Sequence, residues 1–316
     1  MNDRLTGERF ACTEAVSSWP VHRSASRVGA PLLLTRTPVR LVSLCPSLTE
    51  LVFDLGAGDE LVGRTKFCIH PESLVERVEK VGGTKNPKIA RIVELHPDLV
   101  LMNEEENRIE DADQLRAAGL VVHSSLPRTA ADTAAMVRSI SRAIGRVDAG
   151  ERIAADIEAR AERVRVASKG LTEVSYVYLI WREPWMSVTN DTFVAALLAL
   201  AGGWNLVGDA AERYPVITLE QIRALDPDVV LLSSEPFPFA ERHALELEEA
   251  LRFPRDRFEL VDGELLSWHG SRTPRGIDYA ERVVEEARRR RMLAVSLAPP
   301  EERHGQTDEG HDRAAD

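Results

Sequence analysis

From Val39 onward the apolar residues fall into two alternating patterns. Short unbroken runs (Leu41-Val42-Ser43-Leu44, Leu61-Val62-Gly63, Asp98 to Met102, Leu120 to His123, Val174 to Trp181, Asn205 to Val207, Asp228 to Leu232, Phe258 to Val261) read as buried strands, with a weaker one at Val78 to Val81. Between them, apolar residues recur at three and four positions, as a helix face requires. Helices are predicted over 47–55, 87–95, 108–118, 191–201, 218–224, 239–250 and 275–291. Residues 130–169 carry no strand signal. Ile153, Ile157, Ala161 and Val164 keep helical spacing there, and a break at 145–150 isolates a long connecting helix. Strand–helix alternation predicts parallel sheets covered by helices.

One segment repeats. Ile92-Val93-Glu94-Leu95-His96-Pro97-Asp98-Leu99-Val100-Leu101 matches Ile222-Arg223-Ala224-Leu225-Asp226-Pro227-Asp228-Val229-Val230-Leu231, and Leu61-Val62-Gly63 is echoed by Leu206-Val207-Gly208 in the same order. The expected architecture is α/β: two Rossmann-like lobes with parallel sheets, joined by a long helix, with a ligand cleft between the lobes. The boundaries are a leader at 1–38, an N-terminal lobe at 39–145, a connecting helix at 146–170, a C-terminal lobe at 171–295 and a disordered acidic tail at 296–316.

The stretch Val42 to Glu50 is the focal point. A strand ends at Cys45-Pro46 and a helix begins at Ser47, with Ser47 and Glu50 at the spacing of a capping box. Such a turn aims backbone N–H groups at the carboxyl edge of a parallel sheet, where open α/β folds bind ligands.

Charge and composition narrow the class. A net charge of −11 argues against nucleic acid as partner, and no apolar run approaches the ~20 residues of a membrane helix. Residues 1–38 are charged or polar except at Pro31 to Leu34, so no secretory apolar core is seen and a cytoplasmic location is expected. Three cysteines, Cys12, Cys45 and Cys68, give no disulfide framework. Gly-x-Gly-x-x-Gly, Walker, Gly-x-Ser-x-Gly and His-Glu-x-x-His motifs are all missing, so no enzyme is expected.

Several loops carry candidate chemistry. Cys68-Ile69-His70 and Cys45 fall at one sheet edge. Either Cys68 and His70 are metal ligands, with Cys45 as a third, or the cysteines pack and His70 merely precedes Pro71. Trp181-Arg182-Glu183-Pro184-Trp185, Tyr214 and Trp268-His269 end loops of the second half. They offer either a wall for a flat macrocycle, with His269 as axial ligand or donor, or caps on their own core. Arg182 and Arg272 are either anion partners or solvated. Glu104-Glu105-Glu106-Asn107-Arg108 is either an acceptor set for ligand amides or a solvated charge run opening a helix.

Taken in order, Val42-Ser43-Leu44-Cys45-Pro46-Ser47-Leu48-Thr49-Glu50, Leu61-Val62-Gly63, Val81-Gly82-Gly83 with Arg91 to Val100, and Leu219-Glu220-Gln221-Ile222 with Asp226 to Val230 resemble the vitamin B12 and ferric-siderophore periplasmic binding proteins. The resemblance spans about 39–291. It implies a substrate-binding protein of the ABC transporter type, binding a metal chelate without converting it. Its first choice of ligand is cobalamin or a related corrinoid carrying cobalt, its second an iron chelate (ferric siderophore or haem). No covalent cofactor is implied, and a monomer is expected. The implied ligand set is Cys45, Pro46, Ser47, Cys68, His70, Trp181, Arg182, Trp185, Tyr214, Trp268 and His269. Family members present a Glu on each lobe to an ABC permease. Glu220 matches one position, whereas Ala90 stands at the other, which argues against docking. The rival from another class is a cytosolic metal-handling protein or metalloenzyme using Cys45, Cys68 and His70.

Overall fold

A computed structural model describes residues 36–297. The leader expected at 1–38 falls outside the described residues up to residue 35, and the expected tail does so from 298. The described residues fall into two compact units, one of residues 36–126 and 139–149, the other of 127–138 and 150–297.

The first unit contains β1 (Leu41–Ser43), α1 (Pro46–Asp54), β2 (Leu61–Arg64), α2 (Glu72–Val75), β3 (Glu79–Lys80), α3 (Ile89–Glu94), β4 (Leu99–Asn103), α4 (Ile109–Ala117) and β5 (Val122–Ser125). All its strand pairs are parallel, in the order β3-β2-β1-β4-β5. That order reverses direction between β1 and β4, so the topological switch point lies where Cys45 and Asn103 end their strands. Leu48, Leu51 and Val52 of α1 and Leu55 at its C-cap are all buried, as their spacing predicts. Val42, Val100, Met102, Ala112, Leu115 and Val122 form the core under α4.

Helices α5 (Ala130–Ala143) and α6 (Val147–Ser168) follow. Buried Ala154, Ile157 and Val164 mark the packed stripe of α6. Its long polar face carries ion pairs, among them Arg163 with Asp278 at 2.7 Å and with Glu281 at 2.8 Å.

The second unit adds β6 (Val174–Trp181), β7 (Met186–Ser187), α7 (Phe193–Leu200), β8 (Gly203–Asn205), α8 (Leu219–Leu225), β9 (Val229–Ser233), α9 (Glu241–Leu251), β10 (Phe258–Val261), α10 (Gly263–Ser267) and α11 (Thr273–Leu297). The order is β10-β9-β6-β7, with β8 also on β6. All pairs are parallel except β6 with β7. The switch point here lies between β6 and β9.

The sequence repeat is a structural one. His96 and Asp226 both take left-handed backbone, at φ 47° and 45°, and each is followed by Pro and Asp. Asp98 Oδ2 accepts from the N–H groups of Val39 and Arg40 at 2.9 and 3.0 Å. Asp228 Oδ2 accepts from the N–H and hydroxyl of Ser175, both at 2.8 Å. In each unit a carboxylate at the start of one central strand thus ties down the entry to its neighbour.

Candidate functional site

The first unit's edge is built on hydrogen bonds. Pro46 takes the first helical position of α1, one residue earlier than expected, and Cys45 becomes the N-cap with no side-chain cap bond. The Ser47–Glu50 capping box therefore does not form. Ser47 lies inside the first turn, buried, its hydroxyl 3.3 Å from Cys45 Sγ. Thr49 Oγ1 sits at the centre, 2.9 Å from Ser43 Oγ, 3.0 Å from the Cys45 carbonyl and 3.0 Å from Cys68 Sγ.

Cys68 is fully buried, with Thr65 Oγ1 a further 3.1 Å from its sulfur. The loop is pinned from beneath by buried Arg64, which donates to the carbonyls of Val75 (3.0 Å), Thr65 (3.2 Å) and Cys68 (2.8 Å). Cys68 N–H bonds back to Thr65, so this is a turn and not an extended strand. The thiol points inward, while the His70 ring is half-exposed at the following X-Pro step. Cys68 and His70 therefore do not form the expected metal pair. Burial pushes both the Cys45 and Cys68 thiols up. Among the described residues no three of His, Cys, Asp and Glu are grouped for a metal ion.

Two asparagines, Asn103, which the sequence did not single out, and Asn107, expected only as part of the Glu104 to Arg108 run, brace the switch point. Asn107 Nδ2 donates to the carbonyls of Leu44 (2.9 Å) and Thr84 (3.0 Å), and its Oδ1 accepts from Asn103 N–H at 2.8 Å. Asn103 Oδ1 accepts from the N–H groups of Glu105 and Glu106, and its Nδ2 donates to Ser125. The ends of β1, β4 and β5 and the loop after β3 are thereby fastened together. Gly82 makes that loop possible: its φ is 114°, and a Cβ there would stand 2.7 Å from the Asn86 carbonyl.

The second unit's edge is aromatic. Trp181, 40% exposed, ends β6 and meets Phe237 edge-on at 5.8 Å. Trp185 stacks on Phe239 at 6.1 Å with planes 10° apart. Phe237 and Phe239 lie 4.8 Å apart, and the His243 ring is edge-on to both. Arg182 lies 5.8 Å from the Trp185 ring centroid and pairs with Glu183 (2.6 Å) and Glu246 (2.8 Å). The Tyr214 segment joins this group, because Ser187 N–H bonds to Pro215 and Ile217 N–H to Trp185. Tyr214 itself is half-buried beside Arg213.

Two expected members stand apart from this wall. Trp268 is 8% exposed: its Nε1 donates to Glu235 at 2.9 Å and Arg272 covers its ring at 4.6 Å. Arg272 in turn pairs with Glu264. His269 is buried against Phe193, and burial lowers its pKa to about 4. An interior neutral imidazole packed on a phenyl ring is not an exposed axial ligand, so His269 and Trp268 cap the unit's own core. Of the expected set, Pro46, His70, Arg182, Trp185 and Tyr214 are half-buried and Trp181 exposed. Cys45, Ser47, Cys68, Trp268 and His269 are covered. Glu220 is exposed in the first turn of α8, which Thr218 and Gln221 cap reciprocally, and Ala90 is exposed at the matching place in α3.

Comparison with known proteins places these two edges in context. The family model described as periplasmic binding protein matches residues 41–252. A vitamin B12-binding protein of Vibrio campbellii is 27% identical over 206 residues, covering 65% of this chain and 72% of that protein. Its Vibrio cholerae counterpart is 24% identical over 244 residues, covering 77% and 87%. The solved periplasmic vitamin B12 binding protein of Vibrio cholerae superposes with a TM-score of 0.69 at 22% identity, covering 79% of this chain and 98% of that one. A periplasmic haem-binding protein from Roseiflexus does so with 0.66 at 25%, covering 78% and 98%. The cytoplasmic location expected from residues 1–38 does not stand. The matched family and these solved neighbours are periplasmic, and residues 1–35, on which the expectation rested, lie outside the described residues. Two parallel-sheet units sharing a repeated strand entry, together with a family match over most of the folded chain, make this protein a member of the periplasmic binding protein family, in its vitamin B12 and ferric-siderophore superfamily.

Proposed function

We propose that the protein binds a corrinoid of the cobalamin type and releases it chemically unchanged. The observation that carries this reading is the aromatic wall at the second unit's switch point, where Trp181 is 40% exposed beside Phe237, Trp185 and Phe239. Exposed aromatic surface on a soluble protein calls for a partner. A flat macrocycle covering ~100 Å² of it gains roughly 2.5 kcal/mol at ~25 cal/mol per Å². The B12-binding relatives support the same class.

An anionic siderophore is disfavoured, because Arg182 and Arg272 are already engaged by Glu183, Glu246 and Glu264. Haem is the second reading, favoured by the half-exposed His70 imidazole and the haem-binding neighbour. Glu220, exposed at the start of α8, is the contact through which an ABC permease would be engaged, with no carboxylate at Ala90 to match it.

Calorimetry and visible spectra with cyanocobalamin and with hemin decide between the two. Saturable heat with cyanocobalamin, and ligand recovered intact, is the expected result. Absence of heat at high micromolar ligand sinks the corrinoid reading. A hemin Soret shift that disappears in His70→Ala replaces it with haem.

A further inference from the structure

The loop after β9 carries both phenyl rings of the aromatic wall, and an imidazole holds its far end. Phe237 and Phe239 lead directly into Ala240, the N-cap of α9. Alanine has no side-chain acceptor, so the cap must come from elsewhere. His243 supplies it. Its Nδ1 accepts from Ala240 N–H at 2.9 Å, and its own N–H donates to the Ala240 carbonyl at 2.8 Å. Other bonds to this segment are longer or local. Phe237 N–H reaches the Ile180 carbonyl at 3.3 Å, and Phe239 N–H is shared between the carbonyls of Ser233 (3.3 Å) and Phe237 (2.8 Å). The His243 ring is 5% exposed and stands edge-on to Phe237 and Phe239, with centroids 5.2 and 5.6 Å away. Trp181 and Trp185 rest on those same two phenyl rings.

Helix α8 uses the same device in a form that does not titrate. There Gln221 Oε1, also at the third helical position, accepts from Thr218 N–H at 2.8 Å. An amide oxygen accepts at every pH, whereas an imidazole nitrogen accepts only while it is unprotonated. The surroundings of His243 oppose a second proton. Nε2 faces Arg242 Nε at 3.2 Å, so each ring nitrogen already meets a donor. The main-chain N–H of Ala240 is fixed, while the exposed Arg242 side chain is free to turn, which leaves the lone pair on Nδ1 and the ring proton on Nε2. The charged groups facing the ring are Arg242 and Glu246 of α9 and Arg182 from the loop after β6, and the 237–240 segment contributes phenyl rings and main chain. Desolvation, then the two guanidinium groups, hold the His243 pKa below the ordinary histidine value, with Glu246 acting the other way.

We propose that His243 is the positioning residue of the aromatic wall, and that a proton added to its Nδ1 frees Ala240, loosens the 237–240 segment and releases the ligand, so that cargo is held at neutral pH and shed in acid. This rests on the reading above that the wall receives the ligand, and adds the regulation of that same site. The cap is complete above the unfolded-chain value of ~6.5 and is lost as pH falls through the lower folded value.

The test uses the full chain carrying fluorotryptophan and isotope-labelled histidine, followed by NMR, with the Trp181 and Trp185 signals identified through Trp181→Phe and Trp185→Phe. In the unaltered protein the Trp185 signal should move through one transition below about pH 6, at the midpoint where His243 Nδ1 takes up its proton. Cyanocobalamin affinity should fall about tenfold between about pH 7.5 and about pH 5. His243→Leu, which cannot accept from Ala240, should bind about tenfold more weakly at neutral pH and lose little more in acid. His243→Gln, which copies the Gln221 arrangement, should restore neutral affinity to within about threefold and keep it in acid. His123 and His269 are common to all three proteins, so their own acid sensitivity cancels from the comparison. A Trp185 transition at a midpoint other than that of His243 overturns the proposal, and this comparison needs no variant. Cyanocobalamin bound with the same pH profile by the unaltered protein and by His243→Gln also sinks the positioning role, and that role alone. A Trp185 transition tied to His243 in a protein that binds no cyanocobalamin at any pH sinks only the functional reading.

Discussion

The two units share a strand-entry device and a switch point, yet they finish their sheets in opposite chemistry. The first unit ends in side-chain amides, hydroxyls and thiols that satisfy one another, with Asn107 joined to Leu44 and Thr84 and with Thr49 set among Ser43, Cys45 and Cys68. The second ends in indole and phenyl rings, of which Trp181 remains open to solvent. A buried hydrogen-bonded brace contributes mainly to folding, because breaking it strands desolvated partners. A solvent-facing aromatic contributes mainly to binding, because its surface is still to be covered. Substitutions in the first edge should therefore show in stability, and those in the second in affinity.

The sharpest way to break this contrast is Asn107→Ala. It removes the partner of the buried Leu44 and Thr84 carbonyls and the acceptor that Asn107 offers to Asn103 N–H, and should cost ~3–4 kcal/mol in urea unfolding. A loss under 1 kcal/mol would show that water replaces the brace.

Next in size is acid. His123 of the first unit and His269 of the second are both buried, and burial lowers each pKa to about 4. Their folded pKa lies below the unfolded value of ~6.5, so the unfolded chain binds the proton first. The stability they contribute is complete above pH 6.5 and is lost as pH falls towards 4, by up to about 3 kcal/mol for each ring. Unfolding curves of His123→Leu and His269→Leu between pH 4 and 7 should each lack one share of that slope.

Trp181→Ala sharpens the other side. Cyanocobalamin affinity should fall about tenfold, or ~1.4 kcal/mol, with the urea midpoint unchanged. An unchanged affinity would move the wall out of the site. The smallest effect belongs to Cys68→Ser, which trades one small buried group for another between two threonine hydroxyls. It should cost under ~1 kcal/mol and alter neither ligand affinity nor metal content, and metal lost on this substitution would revive the ligand role of the thiol.

The elements legible in the sequence were those with a period. Strand β1, helix α1, the Ile157 and Val164 positions of the α6 stripe and the repeated Pro-Asp strand entry follow from apolar spacing and from proline and glycine punctuation alone. Strand β7, at Met186–Ser187, is too short to show a period, and α10 is started by the Asp262 side chain accepting from Leu265 N–H rather than by an apolar pattern. Strand β8 begins at Gly203, not at Asn205, because that glycine is needed beside the Leu198 carbonyl, where a Cβ would come within 3.0 Å.

The site was legible only in part. Trp181, Trp185 and Tyr214 are solvent-accessible loop-end aromatics, as their positions after strands suggest. Phe237 and Phe239 were marked only by a Pro-Phe-Pro-Phe run, and their role depends on Trp181 and Trp185, which lie far away in sequence. The brace was hidden by the glutamates between its two asparagines, and its acceptors on Leu44 and Thr84 belong to other loops. Trp268 looked like a third wall residue, but a carboxylate from the loop after β9 draws its indole inward, an attraction that no local pattern encodes.

Asp98 and Asp228 lie at the amino ends of their strands, at the far side of each sheet from the variable chemistry. A fastening at the foot leaves the summit unencumbered. Thiols, amides or indoles can be exchanged there from one protein to the next while the strands beneath keep their alignment, which is how a single scaffold can come to serve cargoes as unlike as corrins and porphyrins.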